Sequence, residues 1–189
     1  VTVEPLTRRS PLAGYADRFA AAPVDVAEEP FHPQWSVRVD PDGAAAATLE
    51  AALGLALPDA GRFSGDADRA LVWLGPDEWL LTGAVAPEGS GAVVVDVSDQ
   101  RTTIRLRGTH VREILAKGCA LDLHPRTGPT GLAAPTLLAH VPVVLVVLDA
   151  GPVDGGADAP VDVRVLVRST FARHLAEWLL DAVLEYGAS

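Results

Sequence analysis

Apolar and polar positions alternate in short runs along most of this chain, and the period lengthens in only a few places. Trp35-Ser36-Val37-Arg38-Val39-Asp40 alternates residue by residue and predicts a half-buried strand. Asp42-Gly43 breaks it, and Ala44–Leu53 reads as a helix stopped at Gly54, where a left-handed residue is wanted. Residues 70–74 and 78–82 predict two strands around a tight Gly75-Pro76-Asp77 turn. Residues 83–91 read as a glycine-rich hairpin loop. The β-branched run 92–97 predicts a strand buried on both faces. Residues 102–107 alternate again, with Ile104 and Leu106 on one side and Thr103, Arg105 and Arg107 on the other.

Gly108 then turns the chain, and Thr109 is placed to cap a helix whose inward stripe is Val111, Ile114 and Leu115, with Gly118 as a left-handed stop. Residues 137–148 and 161–167 predict two further strands, separated by a hairpin loop of Gly, Asp and Pro at 149–160. In the second, Val161, Val163, Val165 and Val167 face inward. Ser169 is expected to cap a last helix carrying Phe171, Leu175, Trp178 and Ala182 on one face, ended at Gly187. Strand groups alternating with single helices predict an α+β fold of mostly antiparallel sheet with internal pseudo-symmetry. Residues 1–33 hold five prolines and little periodicity. They read as an extended arm, with a short helical turn at 12–20, that lies across its own domain or embraces a neighbour. The folded domain is expected over 34–189.

Composition narrows the function. The chain has 189 residues, 49% apolar and 21% charged, which suits one globular unit. A net charge of −10 argues against wrapping nucleic acid or resting on an anionic membrane. The nearest approach to a span, 137–148, suits a strand region better. With no apolar signal core at the N-terminus, the expected location is cytoplasmic. One cysteine, Cys119, excludes an internal disulfide framework.

Candidate chemistry is sparse. No glycine-rich strand-to-helix turn of dinucleotide type occurs, and the five histidines are scattered. Cys119 and His124 are close in sequence, but a lone Cys beside Ala120 and Leu121 reads as a small core residue. Neither catalytic nor metal-binding residues are expected. Residues 96–126 carry six basic and four acidic side chains, a local +2 on an acidic chain. That excess is either a partner-facing surface or the lining of an anion site. Arg105, Arg107 and Arg112, with Trp79 from the earlier hairpin, are the interface candidates. Asp96, Asp99 and Arg101 could furnish a pocket, a carboxylate holding a heterocycle and a guanidinium meeting its acidic tail. The plainer reading has Asp99 capping a turn and Arg101 paired with it at the surface.

Several strings occur together in order: Arg9-Ser10-Pro11-Leu12, Gly75-Pro76-Asp77-Glu78-Trp79, Asp96-Val97-Ser98-Asp99-Gln100-Arg101, Leu106-Arg107-Gly108, Leu115 through Pro125, Val167-Arg168-Ser169 with Phe171-Ala172, and Glu177-Trp178-Leu179-Leu180. The series resembles the gamma subunit of heterotetrameric sarcosine oxidase over nearly the whole chain. Arg126-Thr127-Gly128-Pro129 and His174-Leu175-Ala176-Glu177 depart from the pattern. The resemblance implies a fold like the folate-binding domain of the glycine-cleavage aminomethyltransferase. It implies an assembly that oxidatively demethylates sarcosine to glycine and passes the one-carbon unit to tetrahydrofolate. FAD, covalently held FMN, NAD, tetrahydrofolate and zinc would sit in the partner subunits, with none bound by this chain. The partners implied are the alpha, beta and delta subunits, chiefly alpha, and the pocket at Asp96, Asp99 and Arg101 would be a vestige of a folate site. The rival expectation is a stand-alone folate-binding protein or aminomethyltransferase-like enzyme with its own pocket.

Overall fold

A computed structural model describes residues 7–85, 87–155 and 159–187. Ten strands and four α-helices follow in the order α1 (Ala16–Ala20), β1 (Asp25–Glu29), β2 (Gln34–Arg38), α2 (Ala44–Leu53), β3 (Phe63–Gly65), β4 (Ala70–Gly75), β5 (Glu78–Thr82), β6 (Val93–Asp96), β7 (Arg101–Gly108), α3 (Val111–Ala116), β8 (Ala133–Leu138), β9 (Val141–Asp149), β10 (Val161–Arg168) and α4 (Ala172–Ala182), with a closing 3-10 turn at Leu184–Gly187. The strands form two five-stranded antiparallel sheets, β1-β7-β10-β9-β8 and β3-β4-β5-β2-β6.

Period-2 alternation divides the strand side chains among three apolar clusters. Ile104, Leu106, Val163 and Val165 face Leu115 and Leu175 of α3 and α4. Val37, Leu71 and Leu81 face Ala46, Leu49 and Leu53 of α2. Between the sheets, Val72 and Leu80 meet Ala133, Val144, Val146 and Leu166. The layers therefore run helix, sheet, sheet, helix. β9 and β10 are buried on both faces, which is why they read as continuous valine-rich runs.

The pseudo-symmetry is visible in the connectivity. β2-α2-β3-β4-β5 and β7-α3-β8-β9-β10 follow the same path, and each sheet orders its four strands first, fourth, third, second. The fifth strand of each sheet is exchanged. β1 leads into β2 but pairs with β7; β6 leads into β7 but pairs with β2. Four residues, 30–33 and 97–100, join each lead-in to its successor. The two joins cross and bond: Val97 donates its N–H to the Gln34 carbonyl at 2.9 Å, Gln34 donates to the Ser98 hydroxyl at 3.0 Å, and the Gln34 amide reaches the Arg101 carbonyl at 3.3 Å. Gln34 is buried to provide these bonds.

This exchange explains the N-terminal stretch. Residues 25–29 form a sheet strand, and the rest of the described arm packs through Leu12 and Phe19 into the cluster under α4. Residues 1–6 lie outside the described residues.

Other expectations need correction. The 92–97 run forms an edge strand, β6, not one buried on both faces; Val93 and Val95 are 63% and 53% exposed. Its loop, 83–91, is no hairpin loop, because β2 lies between β5 and β6. Residues 137–148 are not one strand: β8 and β9 are joined by Ala139-His140, both left-handed at φ 51° and 65°. That is the geometry of a two-residue hairpin turn. The 149–160 loop does join neighbouring antiparallel strands, although 156–158 lie outside the described residues. Neither Thr109 nor Ser169 caps a helix; His110 and Phe171 hold those positions without side-chain caps. Gly54 ends α2 left-handed at φ 63°, as its pattern requires. Gly118 is glycine for a different reason. A Cβ there would sit 2.6 Å from the Trp178 ring, so the residue permits close approach of α4.

Candidate functional site: the inner faces of the two sheets

Arg105, Arg164 and Glu29 lie on the inner face of the β1-β7-β10 corner. β7 pairs with β10 so that Arg105 stands opposite Arg164, and β1 brings Glu29 opposite Thr103. Two guanidiniums side by side repel unless carboxylates intervene. Here they do. Glu29 receives Arg164 at 2.6 and 3.0 Å and Arg105 at 3.1 Å, and Asp162 receives Arg105 through both oxygens, at 2.5 and 2.8 Å. Their side chains are only 8 to 22% exposed. Bidentate, partly buried pairs of this kind are the strong form of the interaction. The hydrogen bonds Arg105 donates to Asp162, then that to Glu29, hold its guanidinium above its ordinary range despite burial. His32 lies against the same cluster; burial, then the Arg164 charge, lower its pKa.

The candidates from the sequence fall in different places. Arg105 points into this network, so its charge is neutralised inside the chain and not presented to a partner. Arg107 pairs with Asp25 at 2.9 Å, both about half exposed. Arg112 donates to the backbone carbonyls of Ala150 and Ala159 and ties down the β9–β10 loop. Trp79 is 3% exposed, packs against α2 and donates its indole N–H to the Pro58 carbonyl at 3.3 Å. Three of the four interface candidates therefore hold the fold together. Alternation correctly put the arginines opposite Ile104 and Leu106, but the opposite face is the space between sheets rather than solvent.

Of Asp96, Asp99 and Arg101, the last two line one hollow, but Asp96 does not join them. Asp96 accepts from the Ser98 N–H at 2.9 Å and hydroxyl at 2.6 Å, which lowers its pKa. Asp96, rather than Asp99, is thus the turn-capping carboxylate. Asp99 is 88% exposed and pairs with Arg8. Arg101 bonds to Gln100, and burial, followed by repulsion from Arg168, lowers its pKa. Cys119 is buried near the Thr136 hydroxyl at 3.9 Å, while the ring of His124 accepts from the Arg126 N–H at 3.2 Å. Among the described residues, no three His, Cys, Asp or Glu side chains gather as a metal cage. Among the same described residues, no helix is long and apolar enough to cross a membrane.

The arrangement defines a double-sheet α+β scaffold whose interior charges satisfy one another. Residues 38–185 match the model of the sarcosine oxidase, gamma subunit family. The chain is 36% identical to the sarcosine oxidase subunit gamma of Arthrobacter sp., over 96% of this chain and 92% of that protein. It is 34% identical to the subunit of the same name from Corynebacterium sp. strain U-96, over 96% and 93%. It also aligns with a chain of the heterotetrameric sarcosine oxidase from Corynebacterium sp. U-96 in complex with pyrrole 2-carboxylate, with TM-score 0.81, 33% identity and coverage of 96% and 97%. The chain belongs to the sarcosine oxidase gamma subunit family.

Proposed function

We propose that this chain acts as the gamma subunit of a heterotetrameric sarcosine oxidase and contributes structure rather than chemistry. Its family membership supports the assembly. The Glu29–Arg105–Asp162–Arg164 network supports the structural role, because these four charged groups facing the space between the sheets are matched to one another. In this reading the alpha, beta and delta subunits are the partners, alpha carrying the main contact. FAD, FMN, NAD, tetrahydrofolate and zinc belong to them, and the assembly works in the cytoplasm on sarcosine.

Affinity purification of the tagged chain from native extract, with a visible spectrum of the eluate, tests this. Flavin absorbance should travel with the complex and be missing from the chain expressed alone. A stoichiometric flavin on the isolated chain, or recovery of the chain without larger subunits, would overturn it.

A further inference from the structure

Beside β1 lies a hollow of about 740 Å³ that the interior network does not use. Consecutive residues 24–28 all line it, which is how a strand presents its edge rather than a face. Among the described residues β1 pairs only with β7, so this edge has no strand on it. The opposite wall is apolar, formed by Leu12, Ala16, Phe19, Ala20 and Phe31. Phe31 is held left-handed at φ 60° and is 43% exposed, an unusual state for a bulky aromatic. Unpaired edges invite another chain, and proteins normally blunt or cover them.

A second hollow, of about 370 Å³, adjoins this one and shares Arg8, Arg9, Ser10 and Phe31 with it. Arg101 also lines it, and Arg168 stands directly opposite Arg101 on β10. Asp99 is the one acidic residue in its lining, and Arg8 already holds it. Arg9, Arg101 and Arg168 have no carboxylate in ion-pair contact among the described residues. Like charges directly opposed across a sheet are destabilising. An added carboxylate would relieve them.

We propose that the groove along β1 receives an extended segment of a partner subunit's polypeptide, added as a strand to the free edge, with apolar side chains against Ala16, Ala20 and Phe31 and an acidic residue seated between Arg9 and Arg101. Main-chain hydrogen bonds to the edge supply affinity, and the apolar wall and guanidiniums supply register. The inference rests on the subunit reading above and identifies the surface by which that assembly is held.

The test uses the co-expressed complex. Hydrogen exchange at the amides of residues 24–28 should slow at least about tenfold on assembly. Ala20→Trp fills the groove from the exposed side of α1 and should weaken assembly on the order of tenfold without lowering the chain's own Tm. Arg9→Glu combined with Arg101→Gln should slow association and flatten its salt dependence. Unchanged exchange on assembly, or protection already complete in the isolated chain, overturns the proposal. So does wild-type assembly by the Ala20→Trp chain. If the wild-type chain does not assemble at all, the subunit reading falls and the groove's occupant falls with it. Assembly of wild type and variant alike removes the groove alone.

Discussion

The two sheets share a path but not a chemistry. Pairing register matches Arg38 on β2 with Arg105 on β7, Val95 on β6 with Glu29 on β1, and Glu78 on β5 with Arg164 on β10. In one corner the set closes into a network, 8 to 22% exposed. In the other, Arg38 is 54% exposed and pairs with Asp77 and Glu78 at the rim, while Val95 stands in solvent. Exchanging the lead-in strand produces both results. β1 delivers a carboxylate to the corner where Arg105 and Arg164 stand opposite each other. β6 delivers valines to the corner where Arg38 stands opposite Glu78. The same topology thus yields one internally satisfied corner and one open corner, and the difference lies in a few side chains.

Breaking the closed corner should have the largest effect. Glu29→Ala leaves Arg105 with half its partners and Arg164 with none of its carboxylate bonds, so it should cost about 3 kcal/mol, read from the urea midpoint at constant slope. Arg105→Glu should fail similarly, by placing a third carboxylate beside Glu29 and Asp162. Reversing Arg38 at the open corner should cost about 0.5 kcal/mol or less, since it is an exposed pair. Equal losses at the two positions would contradict the contrast.

Gly118→Ala tests the helix layer beneath the closed sheet. It forces a methyl against the Trp178 ring and should cost about 1–3 kcal/mol. Combining it with Trp178→Leu should recover part of the loss, measured as a coupling energy.

Val93→Thr and Val95→Thr at the open corner should change stability by about 0.5 kcal/mol or less, because neither side chain has packing to lose. A larger loss would mean that β6 is covered in the free chain.

The smallest effect concerns the rim of α1. Glu177 is about half exposed, and hydrogen bonds from Arg18 and then Tyr15 lower its pKa from an ordinary 4.5 to about 2. A depressed carboxylate stabilises the fold fully above its unfolded value and loses that contribution as pH falls through the folded one. The Tm gap between wild type and Glu177→Gln should therefore be constant above about pH 5 and close between about pH 4.5 and pH 2. A gap that persists at pH 2 would show that the pair does not carry it.

Much of this architecture was legible because it rests on period and turn chemistry. Gly54 and the Gly75-Pro76-Asp77 turn mark element boundaries, and the stripe of Val111, Ile114 and Leu115 faces the core as its spacing requires. What escaped is set by partners distant in sequence. β1 reads Asp25-Val26-Ala27-Glu28-Glu29, a poor strand former whose acids make sense only beside arginines on β7 and β10. A valine run is the same whether it lies mid-sheet or at an edge, so β6 could not be placed from its composition. The turn at Ala139-His140 lacks the Asn or Gly that would announce it. Charge counting found the excess around Arg101 but could not show that Arg105 faces Glu29 and Asp162 instead of solvent.

On the proposed reading, the matched charges of the inner corner leave no folate site between the sheets of this structural subunit. Calorimetric titration of the isolated chain with a reduced folate tests it most directly. No saturable heat is expected; stoichiometric binding in the micromolar range, abolished with the Arg105 and Arg164 guanidiniums, would contradict that reading.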